Sequence, residues 1–63
     1  MMKTFELIEL PHANGWFQVR VRGSHRQFRH DDLPGTVTIA GKLSTDVPIG
    51  TLRSVLKQAK LAK

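Results

Sequence analysis

The stretch from Trp16 to His30 most limits what this chain can become. Trp16–Arg22 alternates, with Phe17, Val19 and Val21 on one side and Gln18, Arg20 and Arg22 on the other. That period of two belongs to a strand with one buried face. Gly23-Ser24 interrupts the alternation, and His25 to His30 resumes an extended pattern. A two-residue turn at Gly23-Ser24 makes the two segments a hairpin. Its register sets Arg22 against His25, Arg20 against Gln27, and Gln18 against Arg29. On the other face Val21 meets Arg26, Val19 meets Phe28, and Phe17 meets His30. One face is thus predicted to be largely apolar. The other gathers Arg20, Arg22, His25, Gln27 and Arg29.

The flanking sequence provides cover for the apolar face. Asp31-Asp32-Leu33-Pro34-Gly35 is a turn cluster, and Thr36-Val37-Thr38-Ile39 is a β-branched third strand with Val37 and Ile39 on the apolar side. Ala40 to Val47 reads as a loop. Pro48 suits the first turn of a helix, where no amide donor is needed. Leu52, Val55, Leu56 and Ala59 then form one buried stripe at i, i+3, i+4 and i+7. Near the start, Phe5, Leu7, Ile8 and Leu10 have partial helical spacing, with Thr4 as a cap. Pro11 predicts a kink or stop near Leu10, and Asn14-Gly15 a turn. The expected order is α-β-β-β-α. It predicts an α+β domain whose three-stranded antiparallel sheet packs both helices on one face and leaves the other open.

Sixty-three residues predict a single domain, residues 1–63. A chain this short buries only about 60% of its unfolded surface, so chemistry belongs on an open face rather than in a deep pocket. Lys+Arg total 10 against 5 Asp+Glu, a net charge of +5. The charge is segregated: Gly15 to His30 holds Arg20, Arg22, Arg26 and Arg29 with no acid, and Gly50 to Lys63 holds Arg53, Lys57, Lys60 and Lys63 with none. Such an excess favours nucleic acid, an anionic lipid surface or an acidic protein partner. With no cysteine, disulfides and thiolate metal sites are excluded. No apolar run reaches the roughly 18 residues of a membrane span, and the start lacks a signal-peptide pattern, so a cytoplasmic chain without membrane contact is expected.

Several motifs together resemble the HicA toxins, small mRNA interferases of HicA–HicB toxin–antitoxin modules. They are Gly15-Trp16, Val19-Arg20-Val21-Arg22-Gly23-Ser24-His25, Gln27-Phe28-Arg29-His30, Pro34-Gly35-Thr36-Val37-Thr38, and the run from Pro48-Ile49-Gly50-Thr51 to Gln58-Ala59. They span nearly the whole chain in the right order. The resemblance implies a fold like the double-stranded RNA-binding domain. It also implies cofactor- and metal-independent cleavage of mRNA with His25 as the catalytic residue, and a HicB-type antitoxin covering that histidine. Three departures stand out. Ala40-Gly41-Lys42 replaces a Pro-His element after the third strand, Lys60 replaces a helix-ending glycine, and Pro11 interrupts the first helix.

The residues themselves suit this chemistry. RNA cleaves itself when its 2′-OH attacks the neighbouring phosphate, so the protein need only move protons and stabilise charge. Histidine as a residue type does the first, and arginines do the second through paired hydrogen bonds to phosphate oxygens. Taken alone, a histidine after a Gly-Ser turn is an ordinary turn residue. Its place among arginines and the family motif make His25 the catalytic candidate. Arg20, Arg22, Gln27 and Arg29 are the expected RNA contacts on the sheet, with Arg53 and Lys57 on the last helix. Ser24 is first a turn-former and second a phosphate contact. Arg26 is expected at the edge of the apolar side with its charge reaching water, and His30 as a strand-end residue. His12 reads as surface, Trp16 as core or sheet-edge packing, and Asp31-Asp32 is too weak a pattern for a metal site. The alternative is a non-catalytic RNA-binding module on the same fold. Direct DNA binding is not expected without a recognition helix.

Overall fold

The computed structural model describes residues 2–61. Lys63, counted above in the second basic segment, lies outside the described residues. The elements run α1 (Thr4–Ala13), β1 (Trp16–Arg22), β2 (His25–His30), β3 (Val37–Ile39) and α2 (Ile49–Gln58). The strands form one antiparallel sheet in the order β1-β2-β3. Trp16, Phe28, Val37 and Ile39 share one core with Leu7 of α1 and Val55 of α2, so both helices cover the same sheet face. Ala59 and Val47 close its ends. The predicted α-β-β-β-α order and α+β class hold. Leu52, Val55 and Ala59 of the predicted stripe enter or flank the core, while Leu56 is half-buried.

The hairpin register departs from the sequence reading midway along β1. Arg22 pairs with His25, Val21 with Arg26 and Arg20 with Gln27, as expected. A bulge between Gln18 and Arg20 then shifts the ladder, so Gln18 pairs with Phe28, Phe17 with Arg29 and Trp16 with His30. Val19 is the extra residue. One inserted residue reverses the facing of everything before it. Trp16 therefore enters the core, 1% exposed, and Phe17 turns outward, 42% exposed. Val19 and Val21, predicted to be apolar-face residues, are exposed as well. The physical reason lies in the neighbouring aromatics: Trp16 and Phe17 are consecutive, so only one can face inward. The larger ring goes in, and the bulge keeps Arg20 and Arg22 out. Burying a tryptophan of 150–250 Å² contributes about 4–6 kcal/mol. That exceeds the roughly 1–3 kcal/mol for its Nε1–H, which finds no acceptor among the described residues.

His30 closes the β2 end of this arrangement. Its ring meets Trp16 edge-on at 5.3 Å and 64°. Nε2 lies 3.1 Å from the Asn14 carbonyl, and Nδ1 accepts from the backbone N–H groups of Asp32 at 3.0 Å and Leu33 at 3.2 Å. These partners assign the proton to Nε2. The ring is thereby committed to structure, in keeping with the strand-end reading.

α1 does not stop at Leu10; it continues to Ala13 with Pro11 inside and buried. In the last turn the proline removes a single donor, and its ring adds to the packed surface. Asn14 ends the helix, its side-chain amide donating to the Leu10 carbonyl at 2.8 Å. Thr4 is not the cap either. Lys3 holds that position, its backbone N–H donating to Glu6 at 2.9 Å, while Thr4 is buried and donates its hydroxyl to the Thr45 carbonyl at 3.3 Å. Lys3 and Asp46 also join by an antiparallel bridge and a 2.6 Å ion pair. The Lys3 hydrogen bond, then its charge, holds the Asp46 carboxyl below the usual range. The small stabilisation from this exposed pair is present above the ordinary carboxylate range. It is lost as pH falls through the lowered value, and salt screens it.

Lys60 does the work of the missing glycine at a cost. It takes φ +62°, while Lys60 N–H donates to the Lys57 carbonyl at 3.2 Å and Leu61 N–H to Leu56 at 2.8 Å. These two bonds are the Schellman closure of a helix, normally built on glycine. A lysine there carries roughly 1 kcal/mol of backbone strain. Lys60→Gly is expected to stabilise the domain by about 0.5–1 kcal/mol, read as a rise of several degrees in Tm.

Candidate nucleic-acid interface

The open face of the hairpin is set by two cross-strand pairs, Arg22 with His25 and Arg20 with Gln27. Directly opposed residues lie about 5 Å apart, and successive same-face pairs about 7 Å. Four long polar side chains therefore stand within a patch a few ångströms across. Together Arg20, Arg22, His25 and Gln27 line an open depression of about 290 Å³. Neither arginine forms an ion pair with an acid among the described residues. Like charges side by side on a sheet are mildly unfavourable. This face thus retains an uncompensated positive field, suited to an anion.

His25 is held by its turn. Gly23 adopts φ +59°, the left-handed value that the first central residue of a tight II′ hairpin requires. The next residue, Ser24, is half-buried, and its carbonyl accepts from the Gly41 N–H at 3.2 Å and from Arg26 Nη1 at 3.2 Å. The same Nη1 donates to the Gly41 carbonyl at 2.9 Å. Arg26 was expected to send its charge into water; instead it ties the turn to the loop after β3. Ala40-Gly41-Lys42, which lacks the Pro-His element, thus serves as the anchor of the turn that carries His25. The His25 side chain is exposed at the rim of the depression.

The remaining candidates are dispersed. Arg29 shares the open face but sits beyond the depression, opposite Phe17. Arg53 and Lys57 are exposed on α2, on its outer side relative to Val55 and Ala59. Because α2 covers the other sheet face, these two cations belong to the opposite layer of the domain and do not join the His25 cluster. His12 is exposed in the last turn of α1, and Asp31 and Asp32 lie in an exposed bend. No group of three potential metal ligands occurs among the described residues, and none of their helices is long and apolar enough to cross a membrane. Sequence reasoning missed two residues here, Arg26 as a clamp and Phe17 on the basic face. The second had a visible signal in the adjacent Trp16-Phe17.

Fold and surface together define a small α+β domain whose fold is like that of the double-stranded RNA-binding domain, bearing a histidine among arginines on its bare sheet face. The chain belongs to the HicA toxins: the family model for the HicA toxin of bacterial toxin–antitoxin systems matches residues 6–61. That span includes all three strands and His25. Among curated proteins, none matches this chain. Membership makes this the toxin of a toxin–antitoxin module, and such a module has a cognate antitoxin.

Proposed function

We propose that the chain is an endoribonuclease that cleaves mRNA at the depression around His25 and so halts translation and growth. The convergence of His25 with Arg20, Arg22 and Gln27 carries this reading. A phosphate seated there meets two guanidiniums and an amide donor beside an exposed imidazole. The 2′-OH attacks the adjacent phosphorus as His25 takes its proton. An O2′–P bond forms, the P–O5′ bond breaks, and the leaving oxygen takes a proton from solvent. Arg20 and Arg22 hold the charge that builds on the phosphorane oxygens, and Gln27 donates to one of them. The products are a 2′,3′-cyclic phosphate and a 5′-hydroxyl. The antitoxin silences the enzyme by placing an acidic surface over this basic one.

Induction of the chain in bacterial cells, with mapping of new RNA ends, tests the reading. Growth arrest with discrete cuts bearing cyclic or 3′-phosphate and 5′-hydroxyl ends is the expected result. Cuts that leave 3′-hydroxyls would instead require an activated water, and RNA binding without any cut would make the domain a binding module.

The Arg26 clamp gives a separate expectation. Arg26→Ala removes the two guanidinium bonds of the clamp, leaves the Gly41 N–H to Ser24 carbonyl bond as the one remaining tie, and should lower stability by about 1–3 kcal/mol. With the variant held well below its own Tm, cleavage should still fall about tenfold while RNA affinity stays near wild type, because loosening the turn misplaces His25. Equal activity under those conditions would mean that the Gly41–Ser24 backbone bond positions the turn without the guanidinium.

A further inference from the structure

Among the described residues, Phe17 is the one phenylalanine or tryptophan that the fold sets on the basic face. Its partner across the ladder is Arg29, and the next pair on that face is Arg20 with Gln27. The ring is 42% exposed although a core lies on the other side of the same strand. An isolated exposed phenylalanine is ordinary. This one is turned outward by the bulge at Val19, and bulges recur beside functional sites, where they re-aim side chains. Without the bulge the ring would face the helices.

We infer that Phe17 is a stacking platform for an unpaired nucleobase of the bound RNA strand. This rests on the RNA-cleaving reading above and assigns that site a preference for single strands. Phe17 sits four β2 residues from His25 when measured through Arg29, about 13 Å along the strand. The stacked base thus flanks the scissile phosphate rather than sitting at it. Arg29, directly opposite Phe17, is placed to meet the phosphate of that same nucleotide, while Arg20 and Arg22 hold the one being cleaved. A base paired in a duplex cannot offer its face to a ring standing on a sheet, so the platform selects unstacked RNA. Phe17 is a positioning residue: it grips the substrate beside the chemistry and does not touch the reacting atoms.

The test uses the full chain carrying His25→Ala, so that the RNA survives the measurement. Its affinity for a single-stranded oligoribonucleotide with 2-aminopurine walked along the sequence is compared with that for a duplex of the same sequence. Phe17→Ala should weaken single-strand binding about five- to hundredfold. It should abolish 2-aminopurine quenching at one position and leave duplex binding and Tm unchanged. Phe17→Leu should behave as Phe17→Ala does, and Phe17→Trp should restore both affinity and quenching. RNA binding that is unaffected by Phe17→Ala overturns the platform and leaves the enzyme reading intact. So does equal rescue by leucine, which would reduce the ring to apolar contact. A chain that binds no RNA in any form overturns both.

Discussion

Replacing His25 with alanine should reduce RNA cleavage about 10²–10⁴-fold, the usual worth of a positioned proton-transfer group. The chain should remain folded and bound to RNA. The imidazole is exposed and outside the core, so its removal opens no cavity. Arg20, Arg22 and Gln27 stay in place to hold phosphate. On the proposed mechanism their stabilisation of the phosphorane supplies a residual rate, which should not fall to the level of free RNA. In cells the variant should permit normal growth at expression levels that arrest cells carrying the wild type. Single-turnover cleavage of a defined RNA, with affinity measured separately, checks the expectation. A variant that cuts at the wild-type rate would remove His25 from the chemistry. One that loses RNA affinity in parallel would make it a binding group.

The second large effect concerns stability. Gly15 has φ +91°, and a Cβ there would lie 2.7 Å from His30 Nε2. Gly15→Ala thus meets two costs together. The left-handed backbone disfavours any side chain by roughly 1–2 kcal/mol, and the His30 ring must move. Displacing it breaks the contact with the Asn14 carbonyl, leaves the Asp32 and Leu33 N–H groups without their acceptor, and disturbs the edge contact with Trp16. A total loss of about 3 kcal/mol follows, a large share of what a domain this size has. Tm should fall by more than about 10 °C. Gly23→Ala is the comparison: that position also has a positive φ, but nothing lies within 4 Å of the added carbon. It should lose only the backbone cost of roughly 1–2 kcal/mol. Equal losses at the two glycines would mean that the His30 contact contributes nothing.

The sequence was readable wherever one local rule acted alone. Gly23-Ser24 defined the turn, and the three pairs nearest it, including Arg22 with His25 and Arg20 with Gln27, came directly from counting outward. The α2 stripe and the β3 residues Val37 and Ile39 were equally plain. Counting failed at Val19, because a bulge has no residue type of its own and is decided by competition for the core. Trp16 outweighs Phe17 there, and alternation alone predicts the wrong winner. Pro11 misled for a related reason: its penalty falls in the final turn of α1, where tertiary burial of the ring outweighs one lost bond. Arg26 could not be foreseen, since its acceptors, Ser24 and Gly41, meet only after the chain has folded.

The bare sheet face has a consequence for how such a chain is held in check. The domain measures only 16 Å across its shortest Cα dimension, and the two sides of its sheet are core and solvent. The ladder that presents His25 outward is the one that buries Trp16 and Phe28 inward, so a rearrangement that hid the first would unpack the others. On the proposed reading, rearranging the sheet is therefore a costly way to silence the site, whereas a second molecule laid over the open face leaves the core intact. Control then becomes a matter of counting. On that reading, copies of the toxin in excess of its antitoxin are active and bound copies are silent. The response to a falling antitoxin supply is accordingly a threshold, reached when the two dosages cross.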